Sequence, residues 1–111
     1  MRITKALATM VLLALAACPG TKSIKELLDD PGRYEGQTVR IAGEVTQALG
    51  ALGYGGYQIN DGTGTLAVVV QGGGGTPRVG AQVGVEGTFR SAFTIGTLSA
   101  AVVLEKQRKV R

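Results

Sequence analysis

Apolar and polar positions fall into three rhythms along the chain. The first is a continuous apolar run, Ala6–Ala17, interrupted only by Thr9 and preceded by the positive Arg2 and Lys5. A helix of twelve residues covers about 18 Å, well short of a hydrocarbon core of roughly 30 Å. A positive flank, an apolar stretch and small residues before a cut are the pattern of a secretory signal. The second rhythm follows the short tether Pro19-Gly20-Thr21-Lys22. Ser23 stands three residues before Glu26, the spacing of a capping box, and Ile24, Leu27 and Leu28 recur at helical intervals. Asp29-Asp30-Pro31-Gly32 ends that helix early, because proline carries no amide hydrogen and clashes with the preceding turn.

From Val39 onward the period is two. Val39, Ile41, Gly43 and Val45 alternate with Arg40, Ala42 and Glu44, which predicts a half-buried strand with a bulge or sharp bend at Gly43. A glycine-rich segment, Gly50–Gly56, leads into a second strand through Tyr57-Gln58-Ile59-Asn60, and Asp61-Gly62-Thr63-Gly64 then reads as a hairpin turn. Thr65–Gln71 is a third strand, with Leu66, Val68 and Val70 on one face and Ala67 and Val69 on the other. Gly72–Gly75 and Pro77 interrupt it. Ala81–Arg90 and Leu98–Leu104 supply a fourth and a fifth. One helix and five short strands indicate a small closed β-structure, since closure removes exposed sheet edges.

At 111 residues the chain holds one domain. The formal charge of +4 overstates its basicity: without Arg2 and Lys5, 10 basic residues face 8 acidic ones. Lys106, Arg108, Lys109 and Arg111 crowd the C-terminus, so the body from Cys18 to Glu105 carries 6 basic against 8 acidic residues. There is no histidine or tryptophan, and Cys18 is the sole cysteine. Internal disulfides, zinc sites and Ser-His or Cys-His nucleophile pairs therefore cannot be built. Gly72–Gly75 lacks the Lys-Ser/Thr ending of a P-loop, Gly53-x-Gly55 has no strand–helix setting for a dinucleotide, and Asp29-Asp30 alone makes a poor metal cage. The expectation is a non-enzyme with no cofactor and no metal.

Two resemblances sharpen this picture. Leu15-Ala16-Ala17-Cys18 resembles the bacterial lipobox at all four positions, which implies cleavage before Cys18 and acylation of its sulfur. Two readings stand beside it: a buried helix with an incidental cysteine, and ordinary secretion with a free thiol. A lipobox implies several acyl chains, and two or more hold a protein stably on a membrane. Pro19, in place of the aspartate that favours inner-membrane retention in enterobacteria, implies the outer membrane facing the periplasm where two membranes exist. The second resemblance runs through Tyr34-x-Gly36-x-x-Val39-x-Ile41-x-Gly43-x-Val45, Tyr57-x-Ile59-x-Asp61-Gly62-Thr63-Gly64-x-Leu66-x-Val68 and Pro77-x-x-Gly80-x-x-Val83-x-Val85-x-Gly87. These landmarks resemble OB-fold domains, most of all the tRNA-anticodon-binding-like and bacterial periplasmic groups. The implied architecture is mainly β: a five-stranded barrel after a short N-terminal helix. The helix often found between strands three and four is replaced here by Gly72–Arg78. The implied organisation is a signal peptide at 1–17, a lipidated tether at 18–22, an OB-fold domain at 23–105 and a basic tail at 106–111.

OB-folds take ligands across strands two and three, between the loop joining strands one and two and that joining four and five. Those loops map to Ala48–Gly56 and Ser91–Gly96, which makes Tyr54, Tyr57, Arg90 and Phe93 the ligand-binding candidates beside the lipidation site Cys18. Each has a plainer reading as well. Tyr57 shares parity with Ile59 and suits the core, Phe93 suits a plug for the barrel mouth, and Arg90 suits a solvated strand end. Tyr34 suits packing between the helix and the first strand. The basic tail suits either anionic lipid or a solubilising end. The resulting expectation is a membrane-anchored envelope adaptor for a protein, glycan or small ligand. The alternative is single-stranded nucleic-acid binding through the barrel face, which a near-neutral body with five aromatics serves poorly.

Overall fold

The computed structural model describes residues 20–51, 54–71, 75–95 and 97–110. Two short helices, α1 (Ile24–Asp29) and α2 (Pro31–Tyr34), precede five strands. The strands are β1 (Thr38–Ala51), β2 (Tyr54–Asn60), β3 (Thr65–Val70), β4 (Gln82–Ile95) and β5 (Leu98–Val110). They close into a barrel in the order β1-β2-β3-β5-β4, antiparallel at every seam except β3–β5. Closure depends on β1, which pairs with β4 from Thr38 to Glu44 and with β2 from Glu44 to Ala51. The strand therefore changes partner at Glu44. A bulge falls between Val45 and Gln47, three residues beyond Gly43. Gly43 itself answers a close approach: a Cβ there would run into the Asn60 carbonyl and lie 2.7 Å from Ile59 Cγ2.

The alternation predicted for β1 is observed, with Val39, Ile41 and Val45 buried and Arg40, Ala42 and Glu44 exposed. Together with Tyr57, Ile59, Leu66, Val68, Val70, Val83, Val85, Phe89 and Val103 they make one continuous core. Burying side chains of this size contributes about 1.5–3 kcal/mol each. One end of the core is filled by α1, whose Ile24 and Leu27 are fully buried, whereas Leu28 stays 41% exposed. Ser23 caps this helix, its hydroxyl accepting from the Glu26 amide at 3.1 Å. The Glu26 carboxylate does not reach back to complete a capping box; it accepts instead from the Tyr34 hydroxyl at 2.6 Å. Tyr34 is thus buried where α2 meets the barrel. Among the described residues no helix separates β3 from β4.

Three expectations are corrected. The segments read as loops, Ala48–Gly56 and Ser91–Gly96, are mostly strand. Register continues to Ala51↔Tyr54 in one hairpin and to Ile95↔Leu98 in the other. The segment read as a basic tail, 106–111, is strand through Val110 and pairs with β4 from Val83 to Glu86. Backbone hydrogen bonds across these ladders do not depend on apolar side chains, so glycine-rich and charged stretches extend the barrel as well as valines do.

Candidate functional site

The geometry expected to hold a ligand is the outer face of β2 and β3 between the two long hairpins. Inward parity of Tyr57 and Ile59 turns Gln58 and Asn60 outward, and the core positions of Leu66, Val68 and Val70 turn Thr65, Ala67 and Val69 outward. Gln58 faces Ala67 and Asn60 faces Thr65 across the pair, and Gln47 on β1 faces Gln58. Amides, small residues and one well-buried valine make up this surface, and Glu44 borders it opposite Asn60; the described residues place no cation on it.

Two of the four candidate side chains, Tyr57 and Arg90, are engaged elsewhere. Tyr57 is fully buried and belongs to the core. Its hydroxyl donates to Glu105 Oε1 at 2.5 Å, and burial first, then this bond to a carboxylate, pushes the phenol well above its usual range. Arg108 completes the cluster, donating to both Glu105 oxygens at 3.0 and 3.1 Å and to the Gly75 carbonyl at 3.2 Å. Its guanidinium lies 5.8 Å from the Tyr57 ring centre. Glu105 and Arg108 would sit on opposite faces of a regular strand. A register shift opposite Glu86 and Gly87 leaves Lys106 as the extra residue and turns both inward. Burial pushes the Arg108 guanidinium down, but Glu105 outweighs it and the net direction is up. This is a satisfied structural network; no buried side-chain polar atom among the described residues lacks a partner.

Arg90 is also engaged. Its Nε donates to Glu35 Oε2 at 2.8 Å, and the other Glu35 oxygen accepts from the Ser91 amide at 2.6 Å and from the Ser91 hydroxyl. The Ser91 hydroxyl, then its amide, then Arg90 hold the Glu35 carboxyl below its usual range. The cluster ties the base of the β4–β5 hairpin to the turn before β1. Phe93, half-buried and opposite Ala100, lies beyond it on the hairpin. Tyr54 opens β2 opposite Ala51, but its side chain lies outside the described residues, as do Cys18 and the whole segment 1–19.

Pattern reading missed two features. One is the Tyr57–Glu105–Arg108 network, whose signal was a Glu-x-x-Arg spacing that means nothing in a strand unless a bulge is known. The other is an open groove of about 570 Å³ on the opposite side of the barrel, between the outer surfaces of β1, β4 and β5. Its floor is Ala42 and Gly84, and Arg40, Glu86, Gln107, Lys109 and Thr21 border it. Among the described residues no group of three or more His, Cys, Asp or Glu could hold a metal ion, and no helix is long and apolar enough to cross a membrane.

A barrel of this strand order capped by a short helix is an OB-fold, and comparison with known structures agrees. The chain is similar to asparaginyl-tRNA synthetase from Pyrococcus horikoshii complexed with asparaginyl-adenylate, with 20% identity and a TM-score of 0.65 over 82% of this chain and 22% of that one. It is similar to an OBody, AM3L09, bound to hen egg-white lysozyme, with 12% identity and a TM-score of 0.63 over 83% and 95% of the two chains. It is also similar to the tetrameric p202 HIN2, with 18% identity and a TM-score of 0.62 over 83% and 49%. The chain thus spans about a fifth of the synthetase's length. No family model and no curated protein matches the sequence.

Proposed function

We propose that this OB barrel is a lipid-anchored, non-enzymatic adaptor of the bacterial envelope, held by acyl chains on Cys18. The favoured location is the outer membrane facing the periplasm. The observation that carries the reading is Leu15-Ala16-Ala17-Cys18 closing the apolar run that begins at Ala6, with the sole cysteine of the chain at the acylated position. Only four residues separate Cys18 from the helix cap Ser23, so the barrel works close to the surface that anchors it. A partner of protein, glycan or small-molecule type suits the cation-free face of Gln47, Gln58, Asn60, Thr65 and Ala67, bordered by Glu44, better than a polyphosphate does. The OBody bound to hen egg-white lysozyme supports a protein partner for a barrel of this size. The similarity to a tRNA synthetase favours a second reading, single-stranded nucleic-acid binding, which the lack of cations on that face weighs against.

Palmitate labelling of the full chain in a bacterial host tests the anchor. Labelled product should accumulate in the membrane fraction, processing should stop with globomycin, and Cys18→Ser should abolish the label. Wild-type protein that matures without incorporating palmitate would overturn the reading.

A further inference from the structure

We infer that the outer face of β1, β4 and β5 is a docking surface for the anionic headgroups of the membrane that carries the anchor. The inference rests on the lipid-anchor reading and adds an orientation to it. The tether runs beside this face. The Lys22 amide donates to the Arg40 carbonyl at 2.7 Å, along the edge of β1 that β2 leaves free. Two hollows flank the Arg40–Glu86 ion pair, and both are bordered by the tether. Thr21 lines the larger, and Gly20 and Lys22 line the smaller, of about 380 Å³. Cys18 precedes Gly20 by two residues, so chain geometry holds its Cα within about 7 Å of Gly20 in any conformation. An acylated Cys18 therefore brings the membrane to this side of the barrel.

Charge on the face matches that orientation. Four cross-strand rows cover it: Thr38 with Thr88, Arg40 with Glu86 and Gln107, Ala42 with Gly84 and Lys109, and, at its far end, Glu44 with Gln82. Glu86 accepts from Arg40 at 2.9 Å and from the Gln107 amide at 3.4 Å, so its charge is spent within the row. Among the described residues Lys106 donates to the Thr38 hydroxyl at 3.0 Å, and the ammonium of Lys109 has no carboxylate partner. These two lysines remain uncompensated beside a floor of Ala42 and Gly84, where a Cβ on Gly84 would meet nothing within 4 Å. The groove thus offers cations at its rim and open space at its base, which suits phosphate headgroups at the membrane surface. The opposite face, with Gln58, Asn60, Thr65 and Ala67, is left turned to solvent.

The test uses the full lipidated chain on vesicles that are either zwitterionic or contain anionic lipid, with headgroup spin labels. Acylation occupies Cys18, so single cysteines introduced by Ala42→Cys in the groove or Thr65→Cys on the far face can carry a fluorophore alone. On anionic vesicles, quenching at the Ala42→Cys site should exceed that at Thr65→Cys several-fold. The bias should fall close to unity when Lys106→Glu and Lys109→Glu are combined, each lysine being worth several-fold near a charged surface. Equal quenching at both sites, or more at Thr65→Cys, in protein that sediments with the vesicles would overturn the orientation. An oligonucleotide that shields Ala42→Cys from quenching would overturn it in favour of nucleic acid. Protein that stays in the supernatant and takes up the fluorophore at Cys18 would overturn the anchor, and the orientation with it.

Discussion

Four donors converge on the Asp61 carboxylate. Oδ1 accepts from the Thr63 amide at 2.8 Å, the Thr63 hydroxyl at 2.6 Å and the Gly64 amide at 3.1 Å, while Oδ2 accepts from the Ile24 amide at 2.8 Å. One side chain thus shapes the β2–β3 turn and fixes the start of α1 against it, with Gly62 supplying the positive φ of 90° that the turn needs. Burial pushes the Asp61 carboxyl up, but the bonds from Thr63, Ile24 and Gly64 outweigh it, and it lies below its ordinary 3.8. A lowered value means that the unfolded chain binds the proton more readily. Its stabilisation is therefore complete above about pH 4 and is lost as pH falls through the folded value. Asp61→Asn keeps one acceptor oxygen but turns an NH2 group toward the Ile24 amide. It should cost about 1–2 kcal/mol at pH 7 in urea titrations, the size of a lost cap, and the cost should shrink below pH 4. A variant as stable as wild type at pH 7 would show that the turn and α1 are not held through this carboxylate. A backbone contact sets a harder limit at Gly87. A Cβ there would run into the Leu104 carbonyl, so Gly87→Ala should destabilise by about 3 kcal/mol or abolish soluble protein.

The C-terminal half of β5 shows what separates an element from the residues that spell it. Residues 105–110 read Glu-Lys-Gln-Arg-Lys-Val, which has no apolar period, yet they pair with Val83–Gly87 of β4. The extra residue Lys106 shifts parity so that Glu105 faces inward opposite Gly87 and Arg108 faces inward opposite Val85. Ending the chain after Glu105 should therefore cost about 3 kcal/mol or more, since it strips a ladder and leaves a mostly buried carboxylate without its cation. Replacing Lys106 and Lys109 by glutamine keeps the strand and should stay within about 0.5 kcal/mol of wild type. Equal urea midpoints for the truncated and full chains would show that the segment is a tail after all. The short helix, the alternation of β1 and β3, the Asp61 turn and the barrel itself were legible in the sequence, because caps, period-two burial and turn glycines are local signals. The hairpin lengths were not legible: Leu49-Gly50-Ala51 and Tyr54-Gly55-Gly56 look like loop, and only the ladder between them makes them strand. At the candidate site, position in the chain did not separate a ligand contact from a structural one. Tyr57 suited both a ligand contact and the core, and Arg90 both a ligand contact and a strand end; the core holds the first and Glu35 pairs with the second.

Across the whole molecule, charge is segregated by face, and this decides what the barrel can bind. Lys22, Arg40, Lys106 and Lys109 gather with Glu44 and Glu86 around the tether and the β1–β4–β5 groove, whereas the β2–β3 face between the hairpins carries amides and small residues. Arg90 is the cation nearest that face by register, opposite Val102, and Glu35 already holds it. Binding of single-stranded nucleic acid weakens with salt in proportion to the phosphates neutralised, with a logarithmic slope of about −0.7 per phosphate. With at most about one phosphate contacted, raising salt from 50 to 200 mM should reduce oligonucleotide affinity only about two- to threefold. An interface reading six phosphates would lose roughly three-hundredfold over the same interval. Titration of the purified full chain with a single-stranded oligonucleotide at the two salt concentrations separates these outcomes without knowledge of the partner. A steep loss, abolished by Arg90→Ala and Phe93→Ala, would move the nucleic-acid reading ahead of the adaptor. A steep loss abolished instead by Lys106→Glu and Lys109→Glu would put the strand on the groove face, where the membrane is expected. A shallow slope leaves the β2–β3 face to an uncharged or weakly charged partner, on the side of the barrel away from the proposed membrane-facing groove.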